Sequence, residues 1–286
     1  MSAIYRSAAA EDAVRAAYRA VLNGWPIPHE EITLKTGQGE TFVVACGAPT
    51  APPLVLLHGA QANAAAWMFD SLAWARTFRL YAIDMIGESG FSAPSRPPLD
   101  SDAYAGWLDE VLDGLGVPRA AIVGVSLGGW LALDYTTRRP GRVTRLALLC
   151  PAGIGRQKNF LLKAAPLMLL GPWGARKVRE MVFGPAPAAA AIPEIARPLV
   201  DLIRLIGASV RPRRVKIPRL SDADLTRLPP TLVIIGGKDV LIDSGDTRRR
   251  LTAHAPGVEV SYLPEARHFI PGQSGAILAF LTRPGA

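Results

Sequence analysis

The sequence predicts an α/β fold with a mostly parallel sheet covered by helices, on three observations. Short apolar runs rich in β-branched residues alternate with longer helical stretches along most of the chain. One such run, Ala121-Ile122-Val123, passes through a glycine-pinched turn directly into a helical stretch, Leu127 to Arg139. The chain is also long enough, at 286 residues and 49% hydrophobic, to bury one large core.

Taken in order, Ala13 to Leu22 reads as an amphipathic helix. Glu31–Thr36 and Thr41–Cys46 alternate in polarity and read as an antiparallel pair. Further strands are expected near Leu54, at Arg79–Ile83, near Ala121, at Val143–Leu149, near Leu232 and near Val258, making an eight-stranded sheet. Helical stretches between them place helices on both faces. Trp107, Leu108, Val111, Leu112 and Leu115 form a helical stripe after the capping candidate Ser101, and the stripe is core packing. Helices are also expected over Thr247–Ala255 and Gln273–Thr282.

Residues 151–220 break the alternation. They carry Pro166, Pro172, Pro185, Pro187, Pro193 and Pro198, with short helical pieces between. The expected division is therefore a core of residues 1–150 and 221–286, with 151–220 inserted after the sixth strand.

Chemistry concentrates at Ser126, within Gly124-Val125-Ser126-Leu127-Gly128-Gly129. A turn this tight between strand and helix lifts a serine hydroxyl above the sheet, and the helix aims its free N–H groups at the same place. A general base must come from four histidines. His29 sits in an early loop, His58 ends the Leu54–Leu57 run, and His254 lies in an Arg-rich helical stretch. His268 follows the last strand, where parallel sheets place catalytic groups, and is the expected base. Asp239, after Leu232-Val233-Ile234-Ile235-Gly236-Gly237-Lys238, is the expected acid that orients it. Asp243 and Asp246 lie a few residues on and compete for that role, although Asp243 also suits a helix cap near Ser244.

The chain order Ser126, Asp239, His268 resembles that of the α/β-hydrolase family. Leu57-His58-Gly59 and the loop Asp84-Met85-Ile86-Gly87-Glu88-Ser89-Gly90-Phe91-Ser92 extend the resemblance over nearly the whole chain. The stretch from Trp25-Pro26-Ile27-Pro28 through Ser126 is similar to a group of bacterial carboxylesterases. The resemblance implies an α/β-hydrolase fold with 151–220 as a helical cap. It also implies an oxyanion hole formed by the backbone N–H groups of Ala60 and Leu127, with His58 holding the loop. Two departures stand out: Arg267 occupies a position that is often Gly, and Glu88 adds a charge to the mouth loop. Leu161, Leu162, Leu167, Met168, Leu169, Leu170 and Trp173 would line the pocket or pack the cap onto the body, and Trp67 suits either a core or a pocket wall.

The implied activity is cleavage of a small-molecule carboxylic ester through an acyl-enzyme, with no cofactor and no metal. A thioesterase, a lactonase or a C–C bond hydrolase would use the same residues, and a non-catalytic receptor would keep only the pocket. Cys46 and Cys150 suggest no disulfide framework. Glu11, Asp12 and several arginines argue against a signal peptide, and Lys163 and Pro166 interrupt the longest apolar stretch, so a cytoplasmic protein without membrane insertion is expected. Residues 151–220 hold 13 Lys and Arg against 3 Asp and Glu, densest at Arg211, Arg213, Arg214, Lys216 and Arg219. That run reads as a solvated basic face or an attractor of anionic substrates or membranes. It lacks the interleaved aromatics and module of a nucleic-acid binder.

Overall fold

The computed structural model describes residues 4–185, 192–213 and 215–284. Pro187, Arg214 and the side chain of Leu161 lie outside the described residues. The strands are β1 (His29–Thr36), β2 (Gly39–Cys46), β3 (Pro53–Leu57), β4 (Arg79–Ile83), β5 (Ala120–Val125), β6 (Val143–Leu149), β7 (Thr231–Gly236) and β8 (Glu259–Leu263). They form one eight-stranded sheet in the order β1-β2-β4-β3-β5-β6-β7-β8. Only the β1–β2 and β2–β4 pairings are antiparallel.

Helices α1 (Ala8–Asn23), α2 (Ser71–Trp74), α3 (Ala103–Gly114) and α4 (Leu127–Arg138) accompany the first half. Between β6 and β7 run α5 (Phe160–Met168), α6 (Gly171–Phe183), α7 (Arg197–Ser209) and the single turn α8 (Asp222–Leu225). Helices α9 (Ser244–His254) and α10 (Ser274–Leu281) complete the chain. Both faces of the sheet are covered at its centre, which is why β3, β4 and β7 are buried nearly throughout, while the edge strands β1 and β8 stay partly exposed. Leu54 and Leu56 of β3 join Tyr18, Trp74 and Phe280 in one buried cluster. Val55 and Leu57 face the other way, into a cluster with Trp107, Trp130 and Leu251.

Local chemistry sets the helix limits. Ser7 Oγ accepts the N–H of Ala10 at 3.1 Å and starts α1 earlier than the apolar pattern alone suggests. Val14, Tyr18, Val21 and Leu22 then form its buried face. Helix α3 starts at Ala103 with Asp102 at the N-cap, which displaces Ser101 from that position. The Ser101 hydroxyl still accepts the N–H of Ala103, at 3.3 Å. His29 is not a loop residue: it opens β1, with its ring 5.7 Å from that of Trp25.

Helix α7 packs on α1 through Leu202 and Ile206. The adjoining chain is pinned by Arg6 N–H to Ser209 O and by Arg211 N–H to Ile4 O, at 2.9 and 2.7 Å. Among the described residues, no helix is long and apolar enough to cross a membrane. The strand order reverses at β3, since β4 lies on one side of it and β5 on the other. The crevice beyond the carboxyl ends of β3 and β5 is where sheets of this kind bind ligands.

Candidate active site

Ser126 stands at that crevice, between β5 and α4, with φ +52° and ψ −108°. A non-glycine residue in this region carries strain on the order of 1–3 kcal/mol, which the surroundings must hold in place. They do so by close backbone approach. A Cβ on Gly128 would lie 2.2 Å from Leu57 O, and one on Gly124 would lie 2.6 Å from Gly128 O. The two glycines let β3, β5 and α4 converge beneath the serine. Leu127 opens α4, so its N–H is one of those with no acceptor inside the helix.

His268 reaches Ser126 from the loop after β8. Its Nε2 lies 2.9 Å from Ser126 Oγ, and its Nδ1 lies 2.7 Å from Asp239 Oδ2. The loop is seated against the end of β7 by Gly237 N–H to Leu263 O and Lys238 N–H to Ala266 O, both 2.8 Å. Gly236 permits this, because a Cβ there would meet Arg267 O at 2.3 Å.

Asp239 has a buried side chain, and its second oxygen accepts the N–H groups of Leu241 and Ile242 at 2.7 and 3.0 Å. Burial raises its pKa, but His268 and these two donors outweigh burial and hold the carboxyl below its ordinary value. The two competing acids are engaged elsewhere. Asp243 caps α9 by accepting the N–H of Asp246, and Asp246 accepts the N–H of Arg156 and pairs with Arg219. His254 ends α9, 3.5 Å from Asp222.

Residues 54–279 match the α/β hydrolase family. The chain belongs to that family. Over 260 residues it is 30% identical to carboxylesterase YbfK of Bacillus subtilis (strain 168), covering 89% of this chain and 86% of that protein. The crystal structure of carboxylesterase CesB (YbfK) from Bacillus subtilis matches with a TM-score of 0.80 at 26% identity, over 96% of this chain and 99% of the other. That of naproxen esterase (carboxylesterase NP) from Bacillus subtilis matches with a TM-score of 0.75 at 28% identity, over 88% and 90%.

His58 is wholly buried and accepts the N–H of Met85 on Nε2 at 2.9 Å, while its Nδ1 lies 2.7 Å from Gly59 O. Burial pushes its pKa down to about 4, so the ring stays neutral and clips the β3 loop to the β4 loop. Asp84, also buried, accepts Ala64 N–H, Phe91 N–H and Tyr18 O–H at 2.8, 2.9 and 3.0 Å. Burial outweighs these donors and pushes its pKa up to about 7. Trp67 is a core residue, its ring 5.9 Å from that of Trp74.

Glu88 contradicts the expectation of a charge at the mouth. It is 1% exposed and pairs with Arg213 at 3.3 Å. Arg213 correspondingly belongs to no solvated face, since its side chain is 7% exposed. This pairing was invisible in the sequence because 125 residues separate the partners. Arg267 donates to Met181 O at 3.2 Å, tying the His268 loop to the end of α6.

The apolar residues expected to line a pocket or to seal α5 and α6 onto the body do neither for the most part. Leu162, Met168, Leu169, Leu170 and Trp173 are exposed. An open surface depression on the His268 loop is lined by residues that include Phe183, Leu263, Arg267, Phe269 and Ile270. Cys150 Sγ lies within 4.8 Å of the Asp239 and His268 ligand atoms. Its thiol is pushed up by burial and stays protonated behind a His–Asp pair that is already hydrogen-bonded.

Proposed function

We propose that this chain is a serine hydrolase that cleaves carboxylic esters of small molecules, with Ser126 as nucleophile, His268 as general base and Asp239 as the orienting acid. The observation that carries the reading is the continuous hydrogen-bonded path from Ser126 Oγ to His268 Nε2, and from His268 Nδ1 to Asp239 Oδ2, at 2.9 and 2.7 Å. Asp239 holds the Nδ1–H tautomer, which leaves the Nε2 lone pair facing the hydroxyl. Similarity to esterases over nearly the full chain supports the ester as substrate class.

In this reading Ser126 Oγ attacks the ester carbonyl while its proton passes to His268 Nε2. The tetrahedral oxyanion is met by the N–H groups of Ala60 and Leu127, pre-aimed donors that contribute about 10²–10³ in rate each. His268 returns the proton to the departing alcohol. Water then loses a proton to His268 and attacks the acyl-enzyme, and Ser126 leaves with that proton as the acid is released. Helices α5 to α7 act as the cap that limits water and shapes the substrate's approach.

The test is hydrolysis of a p-nitrophenyl ester series beside acyl-thioesters and lactones. Turnover is expected to be highest on the esters, and Ser126→Ala and His268→Ala should each lower kcat by about 10⁵–10⁶. An unaffected Ser126→Ala enzyme would refute the assignment. Thioester or lactone rates above the ester rates would move the substrate class.

A further inference from the structure

We propose that Arg213 and Glu88 are positioning residues that set the oxyanion loop, so that the segment between β6 and β7 supports catalysis through Gln61. The inference rests on the serine-hydrolase reading, in which Ala60 supplies one of the two oxyanion donors.

Gln61 follows Ala60 and has φ +54°, an unfavourable conformation for a residue with a side chain. Something must hold it there. Its N–H donates to Glu88 Oε2 at 2.8 Å, and its own Nε2 donates to Val210 O at 3.1 Å, at the end of α7. The Glu88 bond fixes the peptide plane that follows Ala60, and with it the direction of the chain carrying the Ala60 N–H. Ser89 Oγ, donating to Ala62 O at 2.9 Å, fastens the same two loops one step further along.

Glu88 holds Gln61 most firmly while its buried carboxylate is charged, because a charged acceptor makes the stronger hydrogen bond. Burial holds its pKa above the ordinary carboxylate value, and the positive charge of Arg213 is the largest influence opposing that rise. Arg213 is held for the purpose. Its Nη2 donates to Tyr104 O–H at 2.8 Å, its guanidinium lies 5.7 Å from the centre of the Tyr104 ring, and Nε and Nη2 both lie 3.3 Å from Glu88 Oε1. Arg96 completes the junction by donating to Gly87 O at 2.7 Å and to Arg211 O at 3.1 Å. Gly87, at φ +72°, is required here because a Cβ would meet Arg96 Cγ at 2.4 Å. A buried carboxylate stripped of its paired guanidinium would protonate or draw in water, and the hold on Gln61 would loosen.

The experiment compares Arg213→Gln, Arg213→Lys, Glu88→Gln and the double variant Arg213→Gln/Glu88→Gln with the parent enzyme. Four quantities are read: kcat, KM, melting temperature and affinity for a trifluoromethyl ketone, whose hemiketal oxyanion occupies the hole once Ser126 adds to it. Removing a whole oxyanion donor costs about 10²–10³, so misaiming one is expected to lower kcat about tenfold in Arg213→Gln. KM should stay within about twofold, and trifluoromethyl ketone affinity should fall by the same factor as kcat.

Arg213→Lys keeps the charge and should recover part of the loss. The double variant should outperform Arg213→Gln, because the neutral amide introduced by Glu88→Gln still accepts the Gln61 N–H through its carbonyl and strands no charge. If Arg213→Gln fails to fold, Arg213→Lys gives the same two readouts, with a smaller loss expected. A lowered melting temperature with unchanged kcat and unchanged ketone affinity would overturn the proposal and leave the pair as a structural tie. Failure of the underlying reading looks different: the parent enzyme would then not bind the ketone covalently at Ser126.

Discussion

At the residue scale, the candidate site depends on which aspartate faces His268. Asp239 Oδ2 does so at 2.7 Å, while Asp243 is spent on capping α9. Asp239→Asn should therefore lower kcat by about 10⁴ by favouring the wrong imidazole tautomer. Asp243→Asn should keep near-parental kcat, since asparagine still caps a helix. Steady-state kinetics on both variants distinguishes the two, and the reverse ranking would give the role to Asp243. The serine, the histidine and the favoured acid could be proposed from the sequence because each follows a recognisable strand. Glu88 was misread because a charge in a glycine-rich loop looks solvated until its distant partner is known.

His58 makes a second residue-scale statement, about pH. Its folded pKa of about 4 lies below the ~6.5 of an unfolded histidine. The neutral ring's contribution is therefore complete above pH ~6.5 and is lost on acidification towards pH 4, amounting to about 3 kcal/mol over that window. Asp84 has the opposite slope, because its folded pKa of about 7 lies above the unfolded ~4, and its penalty grows as pH rises. The two slopes oppose each other in the parent protein. His58→Gln isolates one of them. Urea unfolding should show the substitution costing more stability at pH 7 than at pH 4.5, and equal costs at both would remove His58 as a buried neutral group.

At the scale of elements, the junction of β3, β5 and α4 depends on glycine for space. Gly128→Ala would press a Cβ to 2.2 Å from Leu57 O, backbone that cannot swing aside. A loss of more than about 3 kcal/mol is expected in denaturant unfolding, with slower labelling of Ser126 by a fluorophosphonate. Gly207, inside α7, has open space around its Cβ position, so Gly207→Ala should stabilise by up to ~1 kcal/mol. A comparable effect at both glycines would contradict close backbone approach as the reason for glycine beside Ser126.

The central strands β3 to β7 were legible because both their faces are covered, which makes them apolar runs, whereas β1 was legible from its alternating polarity. Helix starts were less so: α1 and α3 begin where a side-chain oxygen captures an early N–H, and several nearby residues could have done that. The packing of α7 onto α1 was not legible at all. It pairs segments from opposite halves of the chain, and no local periodicity encodes such a contact.

At the scale of the whole molecule, the basic segment does less at long range than its charge suggests. Arg213 is buried against Glu88, Arg219 and Arg156 lie within 3.5 Å of Asp246, and Arg176 and Lys177 pair with Glu180. These carboxylates weaken the local pull of the cations they touch, and salt at 0.1 M screens exposed charges separated by more than about 10 Å. Raising salt should therefore change kcat/KM equally for a charged and a neutral ester. A steep fall confined to the charged ester would restore long-range steering as a role for this segment.

The central claim is that acyl transfer passes through Ser126, and peptide mapping of a trapped intermediate reads this directly. The enzyme is mixed with an excess of p-nitrophenyl ester, quenched in acid within the burst, digested and analysed by mass spectrometry. The acyl mass is expected on the peptide containing Ser126, close to one per chain, and absent from Ser126→Ala. An acyl group mapped to another side chain, or continued burst chemistry in Ser126→Ala, would contradict the mechanism at its first step.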